Sequence, residues 1–157
     1  MTKITKILLD MDGVKCDFMK AYDAIQMPNS YKKFRLSVMH LRIFETLEWM
    51  PNGRALTQFL DTLEIPIELL TSRGSRDDIL GNEAIRQKNV WLDKHNIQYP
   101  RNFARTGLEK VKHSLPGTLL IDDTPKVVAS FRTGQGKAIL YEDSKFEEMK
   151  ELIKAHL

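Results

Sequence analysis

Three short stretches carry the side chains best suited to chemistry: Asp10-Met11-Asp12-Gly13, Thr71-Ser72 and Asp122-Asp123. Each follows directly on a short apolar run, respectively Ile7-Leu8-Leu9, Leu69-Leu70 and Leu119-Leu120-Ile121. Apolar runs of this length that end abruptly at polar residues read as buried strands of a parallel sheet. Ligands gather beyond the carboxyl ends of such strands, so the pattern predicts four carboxylates converging on one crevice. Crowded carboxylates repel one another unless they are neutralised. A hard divalent cation with oxygen ligands solves this, and Mg²⁺ is the ordinary choice. Lys112, ten residues before Asp122, supplies a second positive charge, and its near neighbour Lys110 competes for that role.

The elements that must position these residues alternate along the chain. Strands are predicted over 4–9, 65–70, 118–121 and 137–141. Helices are predicted over 17–27, 34–50, 53–63, 77–95, 126–132 and 144–156, with a short helical piece over 108–114. Leu56, Phe59, Leu60 and Leu63 recur at helical spacing, as do Leu80, Ala84, Trp91 and Leu92. The helix over 34–50 shows two apolar stripes and so contacts more than one surface. Pro100 and Gly107 mark irregular chain between the second and third strands. Strands separated by helical stretches give parallel strands with covering helices, an α/β domain of three layers.

Composition narrows the class of protein. With 157 residues and 42% apolar residues the chain can build one compact core. Lys and Arg number 24 against 21 Asp and Glu, a net charge of +3 that is too small to argue for a nucleic-acid binder. No run approaches the length of a membrane span, so no membrane partner is expected, and a cytoplasmic location is. The single cysteine, Cys16, forms no internal disulfide and argues against a zinc cluster. No Gly-rich run precedes a Lys-Ser or Lys-Thr pair, which argues against a P-loop kinase. Oligomeric state is left open.

The pieces Leu9-Asp10-Met11-Asp12-Gly13-Val14, Leu70-Thr71-Ser72, Lys112 and Ile121-Asp122-Asp123 resemble, in order, the four motifs of the haloacid dehalogenase-like (HAD) phosphohydrolases. Asp17-Phe18 after the first motif and Leu119-Leu120-Ile121-Asp122-Asp123-Thr124-Pro125 are similar to the 5′(3′)-deoxyribonucleotidases within that superfamily. The chain departs from that group at Lys15, where Leu is usual, at Cys16, where Ala is usual, and at Thr124, where Arg is common. The resemblance implies a Rossmann-like parallel sheet in one HAD-like domain over 1–157, with a small helical cap inserted over 15–50 after the first strand.

For the residues, the resemblance implies that Asp10 is a nucleophile that takes the phosphoryl group and Asp12 a general acid and base. Thr71 holds a phosphoryl oxygen, assisted by Ser72, and Lys112 neutralises charge. Asp10, the Asp12 carbonyl and Asp123 hold Mg²⁺, with Asp122 beside them. Phe18 and Arg73 are the candidates for substrate contact. Each residue also has a plainer reading: a strand-end Asp caps a turn, Phe18 is a core aromatic and Arg73 a surface charge. The activity implied is a Mg²⁺-dependent phosphomonoesterase acting on a small molecule, foremost a (deoxy)nucleoside monophosphate. The alternatives are a phosphatase of the same fold on sugar phosphates or other small esters, or a 3′-phosphatase on nucleic-acid ends. A binding protein that kept the fold is disfavoured because the catalytic set is complete.

Overall fold

The computed structural model describes residues 2–157. Five parallel strands form its sheet: β1 (Lys6–Leu9), β2 (Ile67–Ser72), β3 (Arg101–Ala104), β4 (Thr118–Asp122) and β5 (Lys137–Leu140). Their order is β3-β2-β1-β4-β5. Register is set by pairs such as Leu9 with Leu69 and Leu9 with Ile121. The strand order reverses between β1 and β4, and a crevice opens at the carboxyl ends of strands where the winding changes direction.

Alternation along the strands divides the core in two. Ile7 and Leu9 of β1, with Leu69, Leu119 and Ile121, face α3 (Gly53–Asp61), α4 (Asp78–Lys94) and α6 (Phe146–His156). Leu8, Leu70 and Leu120 face the other way, against Val127, Val128 and Phe131 of α5 (Pro125–Phe131). Both faces of β1 and β4 are therefore apolar, and three layers result.

The insertion after β1 is helical. Cys16 and Trp49 pair as an antiparallel bridge at its root, and Asp17 N–H donates to Glu48 O at 2.8 Å. Between them lie α1 (Phe18–Asp23), capped by Asp17, α2 (Tyr31–Met39), capped by Ser30, and a 3-10 turn over Ile43–Glu45. Phe18, Phe34 and Phe44 make its aromatic contacts. Gln87 of α4 fixes the insertion from below, donating to Val38 O at 2.7 Å and accepting from Phe44 N–H at 3.2 Å.

Two expectations are corrected. The stretch 34–50 is not one helix: α2 stops at Met39, and Arg42 turns the chain in the left-handed region at φ 51° before the 3-10 turn. Neither apolar stripe, Leu36-Met39-Ile43-Leu47-Met50 or Val38-Leu41-Phe44, runs along a single helix: buried Val38 lies on α2, and buried Ile43, Phe44 and Leu47 lie beyond its end. The chain between Pro100 and Gly107 is not wholly irregular, because Arg101–Ala104 forms edge strand β3, paired with β2. Only Ala104 of that strand is fully buried, so it carries no continuous apolar run to mark it.

Candidate active site

Asp10 is the first residue beyond β1, and its N–H donates to Ile121 O of β4 at 3.1 Å, which pins it at the switch point. The chain then turns sharply around the Met11 carbonyl, which accepts from the N–H groups of Val14, Lys15 and Cys16. Gly13 lies in this turn at φ 82°. Asp122 ends β4 and Asp123 follows it, so both β1 and β4 deliver carboxylates to one place. Ligand oxygens of Asp10, Asp122 and Asp123 lie within 4.8 Å of one another.

One buried cation holds this cluster. Lys110 Nζ donates to Asp10 Oδ1 at 2.9 Å and to Asp122 Oδ2 at 2.7 Å. Burial works against the Lys110 charge, but the carboxylates of Asp10 and Asp122 outweigh it and hold its pKa above the ordinary lysine range. The residue expected in this place was Lys112. Its side chain is instead exposed and paired with Glu109 at 3.2 Å. Residues Leu108–His113 form a 3-10 helix, in which residues three apart eclipse. Lys112 therefore stacks with Glu109 on the outer face while Lys110 turns to the sheet.

The cluster stays electrostatically expensive despite Lys110. Burial, followed by the Asp10 charge, pushes the Asp122 carboxyl up to about 6. Burial, then Asp10 and Asp122, pushes Asp123 up to about 7. Three carboxylates against one ammonium, all oxygen donors, suit a hard divalent cation. Asp122 Oδ1 is already engaged by Thr124 N–H at 3.0 Å, and Oδ2 by Lys110, whereas the Asp123 carboxylate takes a long contact from the Thr124 hydroxyl at 3.4 Å and has no cation partner among the described residues. Asp123 is thus the freer ligand of the pair.

Asp12 and Thr71 meet at a second lysine. Lys88 of α4 donates to Asp12 Oδ2 at 2.9 Å, to Thr71 Oγ1 at 2.7 Å and to Ser72 O at 2.6 Å. Sequence reasoning passed over Lys88, although a signal was present. It lies four residues after Ala84 and three before Trp91, in the buried stripe of α4, where an unpaired lysine is not tolerated. The other oxygen of Asp12, Oδ1, is buried and has no hydrogen-bond partner among the described residues.

A cleft of about 200 Å³ opens over these groups, lined by Asp10, Asp12, Ser72, Lys110 and Asp123 on the sheet side and by Phe18 and Met19 from α1. Phe18 makes near-parallel contacts with Tyr22 and Phe44, at centroid distances of 5.0 and 5.3 Å. Ser72 Oγ accepts from Gly74 N–H at 2.9 Å. Arg73, expected at the substrate, is buried in the loop before α4: it donates to Ser75 O, Arg76 O and Asp78 Oδ1. Its guanidinium closes that loop and is not among the groups lining the cleft.

The arrangement can take a phosphoryl group between a carboxylate and a cationic wall, with a second carboxylate in reach. Residues 21–157 match the family described as "5′ nucleotidase, deoxy (Pyrimidine), cytosolic type C protein". The matched stretch begins beyond Asp10 and Asp12, so those two enter the argument through geometry. No protein of curated function matches the sequence. Among solved structures, a haloacid dehalogenase-like family protein from Streptococcus pneumoniae is 12% identical over 95% of this chain and 99% of that one, with a TM-score of 0.52. The Bacillus subtilis HAD-hydrolase YfnB bound to magnesium is 11% identical over 87% and 86%, also at 0.52. A chain of the Pnkp1/Rnl/Hen1 complex is 15% identical over 90% of this chain and 47% of that one, at 0.56. These likenesses concern the fold, and the family match adds the chemistry. The chain belongs to the cytosolic type C 5′-deoxynucleotidase family of HAD-like phosphohydrolases.

Proposed function

We propose that this phosphohydrolase cleaves the phosphomonoester of a nucleoside monophosphate, foremost a deoxyribonucleotide, with Mg²⁺ as its cofactor. The observation that carries the reading is the Asp10–Lys110–Asp122–Asp123 cluster at the β1/β4 switch point, beneath a cleft walled by Phe18. Asp10 and Asp123, with the Asp12 carbonyl, would hold the cation. Bound there, Mg²⁺ would screen the charge between the Asp10 carboxylate and the incoming phosphate dianion.

Asp10 attacks phosphorus in line, forming the aspartyl phosphate while the ester P–O bond breaks. Asp12 gives its proton to the departing alkoxide, which leaves as an alcohol. It then takes a proton from the water that attacks the phosphoenzyme, releasing inorganic phosphate and restoring Asp10. Lys110 faces Asp10 and balances the charge that builds on the phosphoryl oxygens. Thr71 and Ser72 bind those oxygens, and Phe18 offers an apolar wall to the nucleoside. The family's described substrate class and the aromatic wall support a nucleotide over a sugar phosphate.

Phosphate release with Mg²⁺ is measured across nucleoside 5′- and 3′-monophosphates, sugar phosphates, 3′-phosphorylated oligonucleotides and p-nitrophenyl phosphate. The expected result is the highest kcat/KM on deoxynucleoside monophosphates. Preference for a sugar phosphate or an oligonucleotide end would replace the substrate class, and no release from any ester would end the reading.

A further inference from the structure

The geometry assigns to Lys88 the task of positioning the acid/base carboxylate and the phosphate-binding hydroxyl together, a role that rests on the reaction proposed above. An ammonium has three N–H donors and no acceptor. Lys88 uses all three within the protein, on Asp12 Oδ2, Thr71 Oγ1 and Ser72 O, at 2.6–2.9 Å. None is left for a substrate, which makes it a positioning residue and sets it apart from Lys110.

Its bonds fix the direction of two working groups. Thr71 Oγ1 accepts from Lys88, so the threonine's own O–H proton must go to another acceptor. The phosphoryl oxygen is the acceptor that the reaction brings. Asp12 is held through Oδ2, which leaves Oδ1, the oxygen without a partner among the described residues, as the one to carry the proton. A carboxylate is otherwise free to rotate about its Cβ–Cγ bond and exchange its two oxygens, and a displacement of about 1 Å at such a group costs on the order of 10²-fold in rate.

Lys88 is also the joint between the insertion and the sheet. Its Nζ lies 4.7 Å from the centroid of the Phe44 ring. Phe44 in turn stacks on Phe18, which lines the cleft. The face of Phe44 covers the ammonium and keeps water from competing for its three N–H groups. A helix on one side of the sheet thereby holds Asp12 of the β1 loop, Thr71 of β2 and the aromatic roof in one relation.

The test compares wild type with Lys88→Met and Lys88→Gln on p-nitrophenyl phosphate and on the best alkyl ester of the substrate panel, with phosphoenzyme trapped by rapid quench. In Lys88→Met, kcat on the alkyl ester should fall by roughly 10²-fold, because proton delivery to a poor leaving group depends most on Asp12. The p-nitrophenyl ester needs little protonation, so its phosphoenzyme formation should slow only by what the lost Thr71 orientation costs, clearly less than on the alkyl ester, and the phosphoenzyme should accumulate. Lys88→Gln, whose amide still donates, should recover part of the alkyl-ester rate. Unchanged turnover in Lys88→Met, or equal slowing of phosphoenzyme formation on both esters, would overturn the assignment. Loss of folding in both variants by circular dichroism would also overturn it, making Lys88 a structural ion. Wild type inert on both esters would remove the phosphatase reading itself, whereas active wild type with an unaffected Lys88→Met removes only the positioning role.

Discussion

A Cβ placed on Gly13 would lie 1.9 Å from Oδ2 of Asp123. Gly13 also sits at φ 82°, where a side chain is strained in any case. The β1 loop and the β4 turn thus approach each other as closely as backbone and carboxylate can, and glycine is what lets Asp123 join Asp10. Gly13→Ala should displace Asp123 and loosen the cation site. We expect Mg²⁺ to be required at ~10-fold or greater excess over wild type, corresponding to about 1.4 kcal/mol of lost affinity. Isothermal titration with Mg²⁺ reads this directly, and an unchanged Kd would show that the turn yields at no cost.

Lys110 and Lys112 offer a comparison within one turn of chain. Lys110 is buried between two carboxylates, and Lys112 is an exposed partner of Glu109. Removing one member of a buried ion pair typically costs about 3–5 kcal/mol, whereas an exposed pair contributes about 0–1. Lys110→Met should lower both the melting temperature and kcat, the latter by roughly 10²-fold or more, as expected on losing a charge-stabilising group. Lys112→Met should leave both close to wild type. The reverse ranking in a paired thermal melt and kinetic assay would return the role to Lys112.

Why the sequence placed Lys112 there, and missed Lys88, follows from what a sequence encodes plainly. Strands β1 and β4 are buried on both faces and end in runs of Ile and Leu that stop at the candidate site residues, and in β2 the pair Leu69-Leu70 after Glu68 stops at Thr71 in the same way. The three site-bearing ends were legible for that reason. Edge strand β3 is half-buried and polar, and had no such mark. Choosing between Lys110 and Lys112 requires the rotation of a 3-10 turn, which a count of residues from Asp122 does not supply. Arg73 was misread and Lys88 passed over for the same cause: burial of a charged residue is decided by its partners, and those lie in loops and on other elements.

Lys15 stands where the related nucleotidases usually have Leu, and it is fully buried. Its ammonium donates to Thr57 Oγ1 and lies 5.3 and 5.5 Å from the ring centroids of Trp49 and Tyr99. Burial lowers its pKa to about 8, only partly opposed by Cys16 and Asp61. A folded-state pKa below the unfolded one means the charged form costs stability at every pH below about 8. That cost is relieved as the pH climbs toward the unfolded value of about 10.4. Lys15→Met, with a stem of similar shape, should therefore raise Tm at neutral pH by roughly 3–6 °C. The gain should shrink above about pH 9. A lower Tm at neutral pH would mean that the Thr57 bond and the two rings outweigh the burial cost.

The raised carboxyls of Asp122 and Asp123 carry the opposite sign. Their folded pKa values, about 6 and about 7, exceed those of unfolded aspartate. Such groups favour the folded state most at low pH, and that contribution is lost as pH rises through 6 and 7. In EDTA, wild type should lose stability relative to Asp123→Asn between about pH 4 and about pH 7. Mg²⁺ binds the deprotonated carboxylates, so its stabilisation of wild type should grow over the same window. Thermal melts of both proteins, with chelator and with Mg²⁺, give the four curves needed. A Mg²⁺ shift independent of pH would place the cation elsewhere.

Asp10 and Asp12 are two residues apart but meet different cations, Lys110 and Lys88, and this division predicts unlike variants. Asp10→Asn removes the proposed nucleophile, and Asp122 and Asp123 approach from β4, not from the β1 loop that presents Asp10. No acid-labile phosphoenzyme should form on any ester. Asp12→Asn keeps the Asp10 carboxylate and the backbone carbonyl but loses the proposed proton donor. General acid catalysis typically contributes about 10²–10⁴-fold, and that loss should be full for an alkyl leaving group and small for p-nitrophenolate. In the proposed mechanism hydrolysis of the aspartyl phosphate needs the same carboxylate as base, so with the activated ester the phosphoenzyme should appear as a burst and then persist. Rapid-quench trapping distinguishes the two variants in one experiment. A phosphoenzyme in Asp10→Asn would move the nucleophile to another carboxylate, and an equal first-step loss on both leaving groups in Asp12→Asn would deny it the role of acid.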